Sequence, residues 1–168
     1  AAEMAKLKQA ATDIGARFGA TGTEAAQGME ALAASGLNAA QVVQALPPVL
    51  ALAKAEGLSM DAAAEKLSDS LATMGLGFDQ AGRLANVLAK GANISTTSAS
   101  ALAEALATGG GIARDFGLNL EQSVGALAAF ANNGIKGSAA GTALQAILTQ
   151  LINPSSQASK ALSALGIE

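Results

Sequence analysis

A short phrase recurs along the chain and constrains the fold more than any other feature. It is a glycine, then an apolar residue, then a small polar residue, as in Gly36-Leu37-Asn38, Gly57-Leu58-Ser59, Gly77-Phe78-Asp79 and Gly117-Leu118-Asn119. Gly134-Ile135 and Gly166-Ile167 repeat its first two positions. Glycine adopts the left-handed conformation that ends a helix, and the apolar residue then folds back onto that helix. Since Asn, Ser and Asp cap helix starts, the phrase predicts short helices joined by tight turns.

Nine helices are predicted between these phrases. They cover residues 2–18, 24–34, 39–56, 60–74, 80–92, 98–108, 120–132, 139–152 and 156–165. Pro47 and Pro48 lack an amide hydrogen, so we expect them to kink or split the third helix. We expect Gly109-Gly110-Gly111 to interrupt the sixth, leaving 112–116 as a separate helical turn. Because β-branched and aromatic residues do not alternate, no strand is predicted. The expected fold is a single compact all-α domain of eight or nine short helices.

The first helix is amphipathic and divides the chain into two predicted parts. Its apolar stripe is spaced by threes and fours, at Met4, Leu7, Ala11, Ile14 and Phe18. Such a stripe either packs on its own domain or forms the end of a coiled coil extending upstream. We therefore assign residues 1–20 to this helix and 21–168 to a helical core domain, with a minor internal boundary at the polar stretch 93–97. The chain begins without Met and ends after a helix-stop signal, so we expect a piece of a longer protein.

Composition excludes several classes of function. Hydrophobic residues make up 51% of the 168 residues but aromatic ones only 2%, so the helices must pack closely through small side chains. The net charge is −3, the ten basic residues are scattered, and there is no Tyr or Trp to stack on bases. The case for nucleic-acid binding is therefore poor. The longest apolar run, 45–53, is about half the length that a spanning helix needs.

No catalytic, cofactor-binding or metal-binding residue can be assigned. The chain has neither Cys nor His, which removes thiolate sites and the commonest acid–base residue. Asp61, Glu65 and Asp69 lie four residues apart on the fourth helix, which favours a solvated face over paired catalytic carboxylates. Gly137 and Gly141 form a pair of small residues four apart, which favours close packing in a soluble bundle over a membrane crossing. We predict that the chain is not an enzyme.

Four segments, in order, resemble the core region of phage tail tape measure proteins of the TP901 type. They are MEALAASGL at 29–37, LPPVL at 46–50, LANVLAKGAN at 84–93 and ALAAFANNGIKGSAAGTAL at 126–144. The last is the most specific, and the resemblance extends from about residue 21 to 166. One departure is the glycine triplet at 109–111, where members of that family tend to continue as a helix.

The resemblance implies a structural, non-enzymatic role in a virion tail. Proteins of this family set the tail length during assembly, occupy the lumen of the tail tube and leave ahead of the DNA. The implied location is the tube lumen or tip, after synthesis in the bacterial cytoplasm. The implied partners are tail tube and tail tip proteins and further copies of the chain, with a trimer as the first guess. The alternative is a membrane-active helical module that forms or lines a DNA-delivery pore, with transient membrane contact.

Self-association is expected to depend on assembly. Small residues such as Gly137, Ala140 and Gly141 would let helices of neighbouring copies approach closely. A chain of this length can also bury its apolar faces internally. We therefore expect the isolated chain to be monomeric or weakly associating. Replacing Leu7 and Ile14 with Asp should weaken assembly without unfolding the later helices.

Overall fold

A computed structural model of the chain describes residues 2–155, 159–160 and 163–164. This part contains α-helices, one 3-10 turn at Phe78–Gln80 and no strand. The helices are α1 Ala2–Arg17, α2 Gly22–Ala34, α3 Ala39–Glu56, α4 Met60–Met74, α5 Ala81–Asn93, α6 Ala99–Asp115, α7 Leu120–Asn132 and α8 Ser138–Ile152. The all-α prediction is confirmed. The predicted ninth helix, 156–165, and the stop at Gly166-Ile167 fall largely or wholly outside the described residues.

The recurring phrase ends helices as predicted at four places. Gly36, Gly57, Gly117 and Gly134 all have positive φ, between 65° and 94°. The amide of the following apolar residue donates back across the turn, as Leu118 does to the Ala113 carbonyl at 2.9 Å. These bonds satisfy carbonyls that the end of a helix otherwise leaves without a partner.

The phrase at Gly77 was misassigned by two residues. The left-handed residue that ends α4 is Gly75, with φ of 66°, and the Leu76 amide donates to the Leu71 carbonyl at 2.8 Å. Gly77 has a φ of −76° and precedes the 3-10 turn. Two glycines flank Leu76, so the sequence alone fits a helix end at either glycine. The helix ends at the first of them, Gly75.

The prolines do not split α3. The helix is continuous from Ala39 to Glu56 with Pro47 and Pro48 inside it, so that alternative is wrong. Leu46, Val49 and Leu50 are almost completely buried around the prolines. Burial of such side chains stabilises by about 1.5–3 kcal/mol each, which offsets the backbone hydrogen bonds that proline cannot make.

The glycine triplet does not interrupt α6, so that prediction was wrong too. The helix runs from Ala99 through Gly109-Gly110-Gly111 to Asp115. Each interior glycine costs about 1 kcal/mol relative to alanine. The cost is offset because α6 is the central element, packed against α4, α5, α7 and α8. Gly109 and Gly110 are buried in these contacts.

The core is built mainly from leucine. The most deeply buried leucines come from six helices: Leu32, Leu46, Leu50, Leu67, Leu71, Leu84, Leu88, Leu102, Leu106 and Leu127. α1, α2 and α3 pack on one another, and α4 joins them to α6. The buried Ser70 hydroxyl is within hydrogen-bond distance of two carbonyl oxygens, that of Lys66 on α4 at 2.8 Å and that of Ala103 on α6 at 3.2 Å, and so links α4 to α6.

The apolar stripe of α1 is only partly used by this core. Ala11 is buried, and Leu7 and Ile14 are partly buried against the core cluster. Met4 is 71% exposed and Phe18 36%. The middle of the stripe therefore contributes to the packing of α1 on α2 and α3. The side chain of Met4 takes little part in this packing.

Candidate functional site

The turn between α7 and α8, the most specific part of the family resemblance, binds the turn between α5 and α6. The Thr96 amide donates to Asn132 Oδ1 at 2.9 Å, and the Thr96 hydroxyl donates to the Ala131 carbonyl at 2.8 Å. The ammonium of Lys136 donates to the Thr96 carbonyl. Thr96 is thus held through its amide, carbonyl and hydroxyl. We call this set of contacts the Thr96 latch.

The glycines of the same turn have separate structural roles. Gly134 has φ of 87° and ends α7, where the Ile135 amide donates to the Phe130 carbonyl at 3.0 Å. Gly137 precedes α8 with φ of 57° and ψ of −144°, a conformation that side chains strongly disfavour. The two glycines of this turn are therefore explained by its backbone geometry.

Gly141 lies where α8 crosses α6. A β-carbon on Gly141 would lie 2.3 Å from the Ala105 carbonyl oxygen and 2.6 Å from Cβ of Thr108. Gly141 and Ala140 are buried inside the chain, so this small-residue segment packs closely within the helical bundle. Gly137 is not the second member of the crossing, because it belongs to the turn. Gly109 of α6 takes that place, and these faces are not available to neighbouring copies.

The carboxylate row of α4 is solvated, as the sequence predicts. Asp61, Glu65 and Asp69 are all exposed. Among the residues that the structure describes, no group of three or more carboxylates is placed to hold a metal ion. The row gives α4 a charged outer face opposite Leu67 and Leu71, which are buried.

One bidentate ion pair joins α5 to α7. Arg83 Nε and Nη2 donate to the two carboxylate oxygens of Glu121 at 2.8 and 2.7 Å. The bonds from Arg83 lower the pKa of Glu121, and a backbone amide contributes further. The same pair raises the pKa of Arg83. Both side chains are about half exposed, so the pair orients the two helices more than it stabilises them.

An apolar groove lies between α1, α2 and the start of α3. It has a volume of about 940 Å³. Its floor includes Leu7, Met29 and Val42, and the exposed residues Ala26 and Ala33 of α2 line it as well. We call it the α1–α2 groove. Sequence reasoning missed it, because the stripe of α1 indicates an apolar face but not what the neighbouring helices leave uncovered.

The last two turns of α8 present a second apolar surface. Ile147, Leu151 and Ile152 are 46–48% exposed. α8 is the helix among α1–α8 that carries no charged residue. We call these three side chains the α8 ridge. The sequence shows how these side chains are spaced relative to Leu144 and Leu148. It does not show where the contact between α8 and α6 ends.

No helix within the described residues has both the length and the apolar character needed to cross a membrane.

Comparison with known proteins identifies the protein family of this chain. Residues 8–168 match the family described as phage-related minor tail protein. The chain is 36% identical over 167 residues to the tape measure protein of Pneumococcus phage Dp-1, covering 99% of this chain and 14% of that protein. It is 28% identical over 167 residues to the probable tape measure protein of Escherichia phage P2, covering 99% of this chain and 20% of that protein.

The chain thus spans between a seventh and a fifth of the length of these relatives. No solved structure matches it. The family match covers nearly the whole chain, including the Thr96 latch and the α6–α8 crossing. The chain therefore belongs to the phage-related minor tail protein family and is similar to a segment of two phage tape measure proteins.

Proposed function

We propose that this chain is a structural domain that serves tail assembly, tail length determination and genome delivery through protein contacts. The tail would belong to a phage or to a particle derived from a prophage. The observation that carries the proposal is the match over residues 8–168 to a tail protein family, with relatives named as tape measure proteins. In this proposal the chain has no enzymatic activity.

The proposed organisation keeps two parts. Residues 21–168 form the core domain, with a minor boundary at 93–97, and residues 1–20 form an amphipathic helix that packs on this domain and whose start we propose as the end of an upstream coiled coil. Exposure of Met4 on α1 supports such a connection, because a 71% exposed apolar side chain at this end offers a contact. The domain would lie in the tube lumen or at the tail tip. Its neighbours would be tube proteins, tip proteins and other copies of the chain, in a homo-oligomer for which three copies remain the first proposal.

The role is tested by an in-frame deletion of residues 21–155 from the phage gene that encodes them. We expect tails to be lost or to have altered length in electron micrographs, with infectivity falling in parallel. A matched control replaces Asp61, Glu65 and Asp69 with Asn, Gln and Asn, which removes the charge of an exposed face and should leave tails unchanged. Normal tails of normal length from the deletion phage would refute the proposal.

The membrane-active alternative has its own test. The purified chain is mixed with vesicles of phosphatidylglycerol and phosphatidylcholine at low salt and floated on a density gradient. Under the structural proposal the chain stays at the bottom of the gradient. Flotation with the vesicles would instead favour a module that contacts or lines a membrane.

A further inference from the structure

The turn between α7 and α8 contains the one Asn-Gly pair of the sequence, Asn133-Gly134. Asparagine is among the chemically labile residues, because the backbone nitrogen of the next residue can attack its side-chain carbonyl carbon. Glycine at that next position offers the least steric resistance. Every other asparagine in the sequence is followed by a residue with a side chain. Asn133 is also exposed to solvent, so by sequence and exposure it is the most reactive asparagine of the chain.

The reaction is a deamidation, and water is its only co-reactant. The Gly134 nitrogen loses its proton and bonds to Cγ of Asn133, the Cγ–Nδ2 bond breaks, and the side-chain nitrogen leaves as ammonia. Water then opens the cyclic imide at one of its two carbonyl carbons. One product has aspartate at position 133. The other is an isoaspartyl linkage, in which the main chain runs through Cβ and Cγ of that residue.

The folded turn opposes the first step. The ring closes only when the Gly134 nitrogen lies on the same side of the Cα–C bond as Cβ of Asn133, and the ψ of 15° at Asn133 turns it to the other side. The Gly134 amide donates instead to the Ala131 carbonyl at 3.0 Å. The leaving group is held as well, because Asn133 Nδ2 donates to the Ala129 carbonyl at 2.9 Å. The closed turn therefore keeps the attacking nitrogen away from its target.

One carbonyl couples this turn to the Thr96 latch. The Ala131 oxygen accepts from the Gly134 amide and also from the Thr96 hydroxyl, at 2.8 Å. Asn132 and Lys136, on either side of Gly134, hold the amide and the carbonyl of Thr96. The Gly134 nitrogen cannot turn towards the preceding side chain unless the backbone between these two residues moves. Attack therefore requires the latch to loosen.

We propose that Asn133 is a deamidation site whose reactivity is controlled by the Thr96 latch. While the latch is closed, Asn133 is protected in spite of its exposure. When the latch opens, the Gly134 nitrogen reaches Cγ of Asn133 and the reaction proceeds. The proposal concerns the chemistry of this turn and does not depend on the role of the chain in a tail.

The modification keeps the latch from closing again. An isoaspartyl linkage adds one backbone atom between Asn132 and Lys136, so the two residues no longer meet Thr96 in their present positions. Aspartate at 133 places a negative charge at the carboxyl end of α7, which the helix dipole disfavours, and removes the donor to the Ala129 carbonyl. Because ammonia is lost to solvent, the change is not reversed. The chain thus records in covalent form that its latch has been open.

The first test compares the folded chain with the same chain unfolded in urea. Both samples are warmed at mildly alkaline pH. Mass spectrometry of the peptide that contains residue 133 measures the exchange of an amide for an acid, and its isoaspartyl fraction is measured separately. Deamidation at Asn133 should be at least about tenfold slower in the folded chain, since it waits for a local opening. Equal rates would overturn the protection, and no reaction in urea would remove the site.

The variant Thr96→Ala tests control by the latch, because it leaves the sequence around Asn133 unchanged. Loss of the Thr96 hydroxyl should accelerate deamidation of the folded chain about two- to tenfold, as expected for one hydrogen bond. It should change nothing in urea. An unchanged rate in the folded variant would overturn the proposal.

The matched control is Asn38→Ala, which removes the cap of α3 and lowers the global stability without touching the latch. Its folded rate should stay close to that of the parent chain. If Asn38→Ala accelerates the reaction as much as Thr96→Ala does, deamidation proceeds through global unfolding and control by the latch is wrong.

The last measurement concerns the product. The isoaspartyl form is separated from the aged chain, and its amide hydrogen exchange is compared with that of the unmodified chain. Exchange of the Thr96 amide should be faster, whereas that of the core amide of Leu106 should change far less. Identical exchange at Thr96 in the two forms would show that the modification does not hold the latch open and would overturn that part of the proposal.

Discussion

Gly109 and Gly141 bring the backbones of α6 and α8 into direct contact. A β-carbon on Gly109 would lie 2.6 Å from the carbonyl oxygen of Gly141. The neighbours are backbone atoms and Cβ of Thr108, so the crossing has no flexible end of a side chain that could move aside. A domain with few aromatic side chains thus gains close contact where the helix surfaces are flattest.

Replacing Gly141 with Ala should destabilise the domain by about 1–3 kcal/mol, because the added methyl group overpacks the crossing. The matched control is Gly111→Ala on α6, where the nearest atom is Cγ2 of Thr73 at 3.7 Å. There the gain in helix propensity, about 1 kcal/mol, should raise the stability. Denaturant titration followed by circular dichroism measures both. Equal effects of the two substitutions would contradict the assignment of Gly141 to the crossing.

Replacing Asn132 with Ala should loosen the Thr96 latch. The Thr96 amide then loses its side-chain acceptor, at a cost of about 0.5–1.5 kcal/mol. Hydrogen exchange of the Thr96 amide should accelerate, while that of the core amide of Leu106 changes only by the loss of global stability. The control is Asn133→Ala, on the next residue, whose side chain donates locally to the Ala129 carbonyl. Unchanged exchange at Thr96 in the Asn132 variant would argue against the latch.

Replacing Asn119 with Ala should cost about 1 kcal/mol, because this side chain caps α7. Its Oδ1 accepts from the Gln122 amide at 2.9 Å, and Gln122 Oε1 accepts from the Asn119 amide at 3.0 Å. Asn119→Ser keeps an acceptor and should be nearly neutral. Thermal melts of the two variants should differ by a few degrees, and coincident melts would mean that the cap contributes nothing.

Acid should weaken the link between α5 and α7. Arg83 lowers the pKa of Glu121 below its ordinary value of 4.5. A carboxylate with a lowered pKa in the folded state contributes stability above the pKa of the unfolded state, and this is lost as the pH falls through the folded pKa. Glu121→Gln should therefore be less stable than the parent chain at pH 7, and the difference should narrow as the pH falls through the folded pKa of Glu121. Melting temperatures measured as the pH falls from 7 test this, and a difference that does not narrow as the pH falls would exclude the ion pair as its cause.

Local sequence rules predicted most of the helices. At α3 and α6, contacts between helices overrode those rules. Asn38, Ser59, Ser98 and Asn119 were placed correctly at or next to helix starts, because a capping bond closes within three residues. The continuous course of α6 could not be predicted, because it depends on Gly141, more than thirty residues away. The partner of Lys136 was invisible for the same reason, since Thr96 lies 40 residues earlier.

The surfaces were harder to predict than the fold. Leu144 and Ile147 are similar residues on the same helix, yet the first is buried and the second is 46% exposed. The difference depends on how far α6 extends along α8, which no local pattern records. The α1–α2 groove likewise depends on the angle between helices and not on the apolar stripe of α1 alone.

The closed turns at Gly36, Gly57, Gly117 and Gly134 also determine how the chain recovers from stretching. Each helix end is specified within about six residues, through bonds such as that from Leu58 to Ala53. No distant segment has to be in place before a helix stops correctly. If the chain were pulled straight, these helix ends could re-form from local contacts, whereas a continuous α6 would also need its docking against α8.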